Sequence, residues 1–156
     1  MKDEAIKIAK ETLIKPFEGY AKRLPNGNCE AYPDPGTKGD PWTIGYGSTG
    51  PNIRKGTVWT HEQAEKGLDE HMEYFYQGVI RLCPNLLRST PNRLAAIISF
   101  AYNVGLGNLR ISTLRRRVLS EDWAGAREEI VRWNKAAGRV LNGLTRRRQA
   151  EALLLR

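Results

Sequence analysis

The sequence predicts an α+β fold: an amphipathic N-terminal helix, a small glycine-rich β layer, a long helix, and then a bundle of helices. Three observations predict it. Seven glycines, Gly36 among them, and five prolines crowd residues 25–57, a density no helix survives. Residues 91–104 are almost wholly apolar after their first turn, the pattern of a helix buried on all sides. Helix-start signals, Thr60 with Gln63 and Thr90 before Pro91, open the segments that follow the glycine-rich stretch.

In chain order, Ile6, Ala9, Leu13 and Ile14 recur at helical spacing over residues 3–14, and Pro16 is expected to end that helix. The runs CEAY, WTIGYG and TVWT within residues 29–60 carry the aromatic and β-branched content of short strands. A long helix is expected over 61–82, stopped by Pro84. The apolar helix 91–104 forms the core, with Gly105 and Gly107 ending it. Further helices are expected at about 112–119, 121–136 and 144–154, with Gly138 and Gly143 punctuating the last connection. The 156 residues are expected to form one domain: a β-containing part at about 15–59, a helical part at 1–14 and 83–156, and a connecting helix at about 60–82.

The formal net charge of +8 is unevenly placed. Residues 1–88 hold 12 Lys/Arg and 12 Asp/Glu and are neutral; residues 89–156 hold 13 and 5 and carry the whole excess. A basic half implies an extended anionic partner: nucleic acid, a phospholipid surface or an anionic cell-wall polymer. Cys29 and Cys83, with only His61 and His71 beside them, lack the clustered spacing of a zinc site. They read as unpaired thiols in a reducing compartment, although a disulfide stays open. The N-terminal MKDEAIKIAKETLIKPF has no uninterrupted apolar region of a signal peptide, so synthesis in the cytoplasm without stable membrane insertion is expected.

Chemistry enters with Glu18. Phe17 precedes it and Gly19 follows, so an apolar wall can raise its pKa while glycine leaves room for a substrate. An acid at a helix end facing a second carboxylate on a strand is how a cleft that hydrolyses glycosidic bonds is built.

The motifs PFEGY, AYPD and WTIGYGSTG resemble those of the phage-type lysozymes (endolysins, muramidases). The resemblance continues through AAIISFAYNVGLGNLRISTLRRRV, DWAGAREEIVRW and GLTRRRQAE and covers nearly the whole chain. It implies a lysozyme-like fold with the active-site cleft between unequal lobes. The implied activity is cleavage of the β-1,4 bond between N-acetylmuramic acid and N-acetylglucosamine, with inversion and without metal or cofactor. Carried over by position, Glu18 matches the general acid, Asp34 the strand carboxylate, and Thr43 the threonine that helps hold the attacking water. Thr113 matches a cleft residue of the family at a helix start, and Tyr46, Thr49, Tyr102 and Asn103 are further candidates to contact substrate. Arg147 and Arg148 either support the site by pairing with Glu18 or are solvated charges. The implied partner is peptidoglycan, met by a monomer that needs a membrane lesion to reach the wall from the host cytoplasm.

The chain departs from the family's spacing in two places. Fifteen residues lie between Glu18 and Asp34, and eight between Asp34 and Thr43, both longer than usual. The extra pieces, PNGNCE and PGTKGD, are turn-rich, and loops at strand ends can grow without moving the strands. The second piece brings Asp40 close to Thr43 as a rival, but Asp34 keeps the Tyr-x-Asp context. Among the aromatics, Trp42, Tyr46, Tyr102 and Trp133 are candidates to line a glycan groove, while Trp133, Phe100 and Trp123 also read as core. Two other classes compete. The triplets Arg115–Arg117 and Arg146–Arg148 suit a nucleic-acid-binding module, but no accompanying motif supports one. An inactive peptidoglycan-binding protein is the other, and intact Glu18, Asp34 and Thr43 argue against it.

Overall fold

In the computed structural model every residue is described except Gly36, one of the glycines expected to break regular structure. The fold is α+β, and it divides into two compact units: Met1–Leu13 with Tyr74–Arg156, and Ile14–Glu73.

The first unit is helical. Helix α1 (Lys2–Ile8) packs on α4 (Pro91–Val104). Thr90 caps α4, its hydroxyl accepting from the Arg93 amide at 3.2 Å. Every residue from Leu94 to Ala101 is fully buried, as the unbroken apolar run requires. Each large side chain there contributes about 1.5–3 kcal/mol by leaving water. The helix stops at Gly105, which has φ +94° and donates to Ala101 O at 2.7 Å. Gly107 does not stop a helix; it lies within α5 (Leu106–Ile111). Next come α6 (Thr113–Leu119), capped by Ser112, and α7 (Trp123–Ile130), capped by Asp122.

The helix expected over 121–136 ends at Ile130. The chain then makes a hairpin, β3 (Lys135–Ala136) with β4 (Arg139–Val140), paired Lys135↔Val140. Its two turn residues, Ala137 at φ +51° and Gly138 at φ +78°, both take the left-handed conformation a two-residue hairpin needs. Alanine at the first of these positions hides the turn from a sequence reading. Helix α8 (Asn142–Leu154) begins before Gly143, which sits in its first turn.

The second unit opens within the N-terminal helical run. A π-helical segment (Ala9–Ile14) passes into α2 (Lys15–Glu18). Pro16 therefore does not end the helix; it lies in the first turn of α2, directly after the π-helical segment. The turn ends at Gly19, φ +71°, whose N–H donates to Lys15 O at 2.9 Å. The β layer is sparse. Strand β1 (Cys29–Glu30) pairs antiparallel with β2 (Val58–Trp59), register Cys29↔Trp59. The WTIGYG run makes no strand of its own, only the bridges Tyr32↔Thr43 and Ile44↔Ser48. Helix α3 (His61–Leu82) follows, opened by the expected capping box: Thr60 N–H to Gln63 Oε1 at 2.8 Å and Gln63 N–H to Thr60 Oγ1 at 3.1 Å.

Both cysteines are buried free thiols. Among the described residues, no helix is long and apolar enough to cross a membrane.

Candidate active site

Glu18 is the last residue of α2 and is half-buried. Its charge reaches Tyr32, whose hydroxyl pKa is raised first by burial and then by Glu18. Tyr32 and Thr43 exchange both backbone hydrogen bonds, at 2.9 Å each, which fixes Thr43 opposite Tyr32. Asp34 lies two residues beyond Tyr32 and organises the loop that follows. Its N–H donates to Gly39 O at 2.9 Å, its carbonyl accepts from Lys38 N–H at 2.7 Å, and its Oδ2 accepts from Thr37 N–H at 3.0 Å. Asp34 is half-buried, whereas Asp40 is exposed. Within the inserted piece, Thr37, Lys38 and Gly39 are thus tied to Asp34 by hydrogen bonds.

Tyr46 differs from the expectation of a groove-lining ring. It is 8 % exposed, its hydroxyl meets His61 Nε2 at 3.2 Å, and its ring packs edge-on against Tyr20 at 5.4 Å. Tyr20 stacks on His61 at 5.4 Å, and Lys15 lies 5.4 Å from the Tyr46 ring centroid while pairing with Glu65 at 2.6 Å. This cluster ties the start of α3 to α2, and Tyr46 serves packing. Thr49 is exposed at the rim of a hollow beside Trp59. Trp42 is half-buried.

The other expected contacts belong to the helical unit. Tyr102 and Asn103 are half-buried near the end of α4, with Tyr102 edge-on to Phe75 at 5.3 Å. Thr113 opens α6, accepts from Arg116 Nη2 at 2.9 Å, and shares a hollow of about 380 Å³ with Trp133. Trp133 also packs edge-on to buried Phe100 at 5.4 Å, and Arg93 lies over Trp123 at 4.2 Å.

Arg147 and Arg148 are not solvated charges; they are 2 % and 0 % exposed. Arg148 Nε pairs with Glu151 Oε1 at 2.7 Å and Arg147 Nε with Oε2 at 3.4 Å. Ser99 Oγ donates to Glu151 at 2.6 Å, and Arg147 Nη2 donates to Ser99 O at 3.2 Å. Burial pushes the Glu151 carboxyl up, and the two guanidiniums pull it back. With two cations buried beside it, the carboxylate is the form that lowers the cost of the cluster. Sequence reading missed Ser99 and Glu151. The signals were a lone hydroxyl inside an apolar helix and an acid one turn after two arginines.

Arg115 does not share the exposure of the other two arginines of its triplet. It is half-buried, and its Nε donates to Leu82 O at 2.9 Å. Arg116 and Arg117 are exposed.

The phage lysozyme family model matches residues 16–151. The endolysin of Bacillus phage B103 is 38 % identical over 143 residues, covering 91 % of this chain and 50 % of that protein. The chain spans about half the length of the Bacillus phage endolysins it matches. The endolysin of Acyrthosiphon pisum secondary endosymbiont phage 1 is 36 % identical over 148 residues, covering 91 % of each chain. Among solved structures, the muramidase domain of SpmX from Asticaccaulis excentricus superposes with a TM-score of 0.75 at 27 % identity, covering 97 % of this chain and 93 % of that one.

Proposed function

The chain belongs to the phage lysozyme family, and from that premise we propose that it hydrolyses bacterial peptidoglycan at the β-1,4 bond from N-acetylmuramic acid to N-acetylglucosamine, with inversion. The observation that carries the reading is the grouping in the glycine-rich unit. The charge of Glu18 acts on Tyr32, the backbone of Tyr32 holds Thr43, and Asp34 stands two residues on.

In the proposed reaction Glu18 gives its proton to the glycosidic oxygen as the bond to the anomeric carbon breaks. Asp34 and the Thr43 hydroxyl hold a water on the opposite face of the sugar, and Asp34 takes its proton as the new C–O bond forms. Such a single displacement calls for carboxyl groups roughly 6.5–9.5 Å apart. Within the same proposal the protein acts as a monomer on the wall of a bacterial host, reached through a lesion in the membrane.

The test is digestion of purified peptidoglycan, with new reducing ends quantified and the first-formed anomer read by proton NMR. New muramic acid reducing ends in the α configuration are expected. Initial β product would overturn the inverting mechanism. Binding without any new reducing ends would overturn the enzymatic reading in favour of an inactive wall-binding protein.

A further inference from the structure

Trp59 ends β2 one residue before the capping Thr60. Two hollows, of about 190 and about 210 Å³, share Trp59, Gly67 and Glu70 and so adjoin at these residues. Gly67 makes room for the indole. A Cβ at that helical position would stand 2.9 Å from Trp59 Cζ3 and 3.0 Å from Ser48 Oγ.

In the first hollow Ser48 is 1 % exposed, and its Oγ has no hydrogen-bond partner among the described residues. Thr49, Asn52 and Glu70 add exposed hydrogen-bonding groups around the same hollow. His71 also lines it, half-buried. Burial lowers its pKa against the opposing pull of Glu70, which favours the neutral ring. The second hollow adds Gln63 and Lys66. Among the described residues neither Lys nor Arg lines the first hollow while Glu70 does, which disfavours a phosphate or carboxylate ligand. An aromatic face flanked by hydrogen-bonding groups suits a pyranose instead: C–H bonds lie on the indole while hydroxyls and an acetamide meet the edges.

We propose that the groove across Trp59 binds an N-acetylhexosamine unit of a glycan, as a foothold built from none of Glu18, Asp34 and Thr43. Identifying that glycan as the wall strand rests on the function proposed above; the binding itself does not.

The experiment is a two-dimensional NMR titration of the full chain with N-acetylglucosamine and, separately, maltose. The Trp59 indole resonance is assigned by its loss in Trp59→Phe. Saturable shifts of the indole N–H and the Gly67 amide with N-acetylglucosamine, and none with maltose, are expected. Trp59→Ala should weaken binding by about tenfold or more, the scale of a buried aromatic anchor. Glu70→Ala, at an exposed position, should weaken it several-fold and guards against a folding defect in the tryptophan variant. Absence of a saturable shift, equal shifts with maltose, or unchanged affinity in Glu70→Ala and a folded Trp59→Ala would each overturn the proposal. A protein that lyses walls but shows no Trp59 shift sinks only the groove. A protein that binds the sugar but never releases reducing ends sinks the proposed catalysis and leaves the groove standing.

Discussion

In the helical unit the backbone bonds mostly within its own helices, and stability is decided by what side chains bury: Leu94 to Ala101 on every face of α4, and the Arg147–Arg148–Glu151 cluster beside Ser99. In the glycine-rich unit regular pairing is almost absent. Two-residue strands, isolated bridges and side-chain-to-backbone bonds such as Asp34 to Thr37 hold the loops. The first arrangement tolerates little change in volume or charge. The second leaves polar groups at loop positions where a substrate can reach them, which is where binding and catalytic groups concentrate. Stability and proposed chemistry are thus assigned to different parts of one chain, and substitutions can test that division.

The largest effect on stability is expected from Glu151→Ala, which leaves two guanidiniums buried with less compensation. Loss of a partner from a buried charge cluster costs on the order of 3–5 kcal/mol. Denaturant unfolding should show it. In the other unit, Tyr46→Phe removes one hydroxyl contact to His61 and should cost only about 1 kcal/mol. Comparable losses from both would end the contrast.

The next effect is on rate. Glu18→Gln keeps shape and hydrogen bonding but removes the transferable proton, so wall lysis should fall by at least ~100-fold, within the range for general acid catalysis. The unfolding midpoint should hardly move. Asp34→Asn should remove most activity and Asp40→Asn little, because Asp34 is the half-buried carboxylate tied into the loop. An exchange of those outcomes would mean that the insertion has moved the catalytic position.

pH separates the units from opposite ends. Burial pushes the Cys83 thiol from 9.0 to about 11, against the pull of Arg115. A folded pKa above the unfolded one means the folded state holds the proton longer. Stability is therefore full below pH 9.0 and is lost as pH rises through about 11. At about 1.4 kcal/mol per unit the limb amounts to roughly 2–3 kcal/mol, and Cys83→Ala should flatten it. His71 in the glycine-rich unit behaves oppositely. Burial lowers its pKa from 6.5, so its contribution is present above 6.5 and is lost as pH falls through the folded value. Amide exchange at acid and alkaline pH should report loosening in different units.

The smallest effect concerns surface charge. Arg116→Gln with Arg117→Gln should change stability by no more than about 1 kcal/mol, since the Arg117–Asp122 pair is exposed. The double variant should lower the rate on whole walls at low salt and have less effect on a short neutral chitin-type oligosaccharide. Arg115→Gln should instead destabilise the helical unit, because it loses the bond to Leu82 O. Equal losses on both substrates from the double variant would exclude electrostatic steering.

The sequence by itself determined what local chemistry dictates. The apolar run named α4, Thr60 with Gln63 and Thr90 with Pro91 marked helix starts, and glycine and proline density excluded helix from residues 25–57. The family followed from motifs, and so did the candidates Glu18, Asp34 and Thr43. Tertiary structure decided what depends on residues far apart in the chain. Pro16 lies within a helical run because a π-helical segment precedes it, and the hairpin at 135–140 replaced a helical end. Arg115, Arg147 and Arg148 look alike in sequence to Arg116 and Arg117. They are withdrawn from solvent because Leu82, Ser99 and Glu151 supply their partners. A charged side chain is solvated unless packing brings it compensation, and the partners that do so here are set by the packed helices.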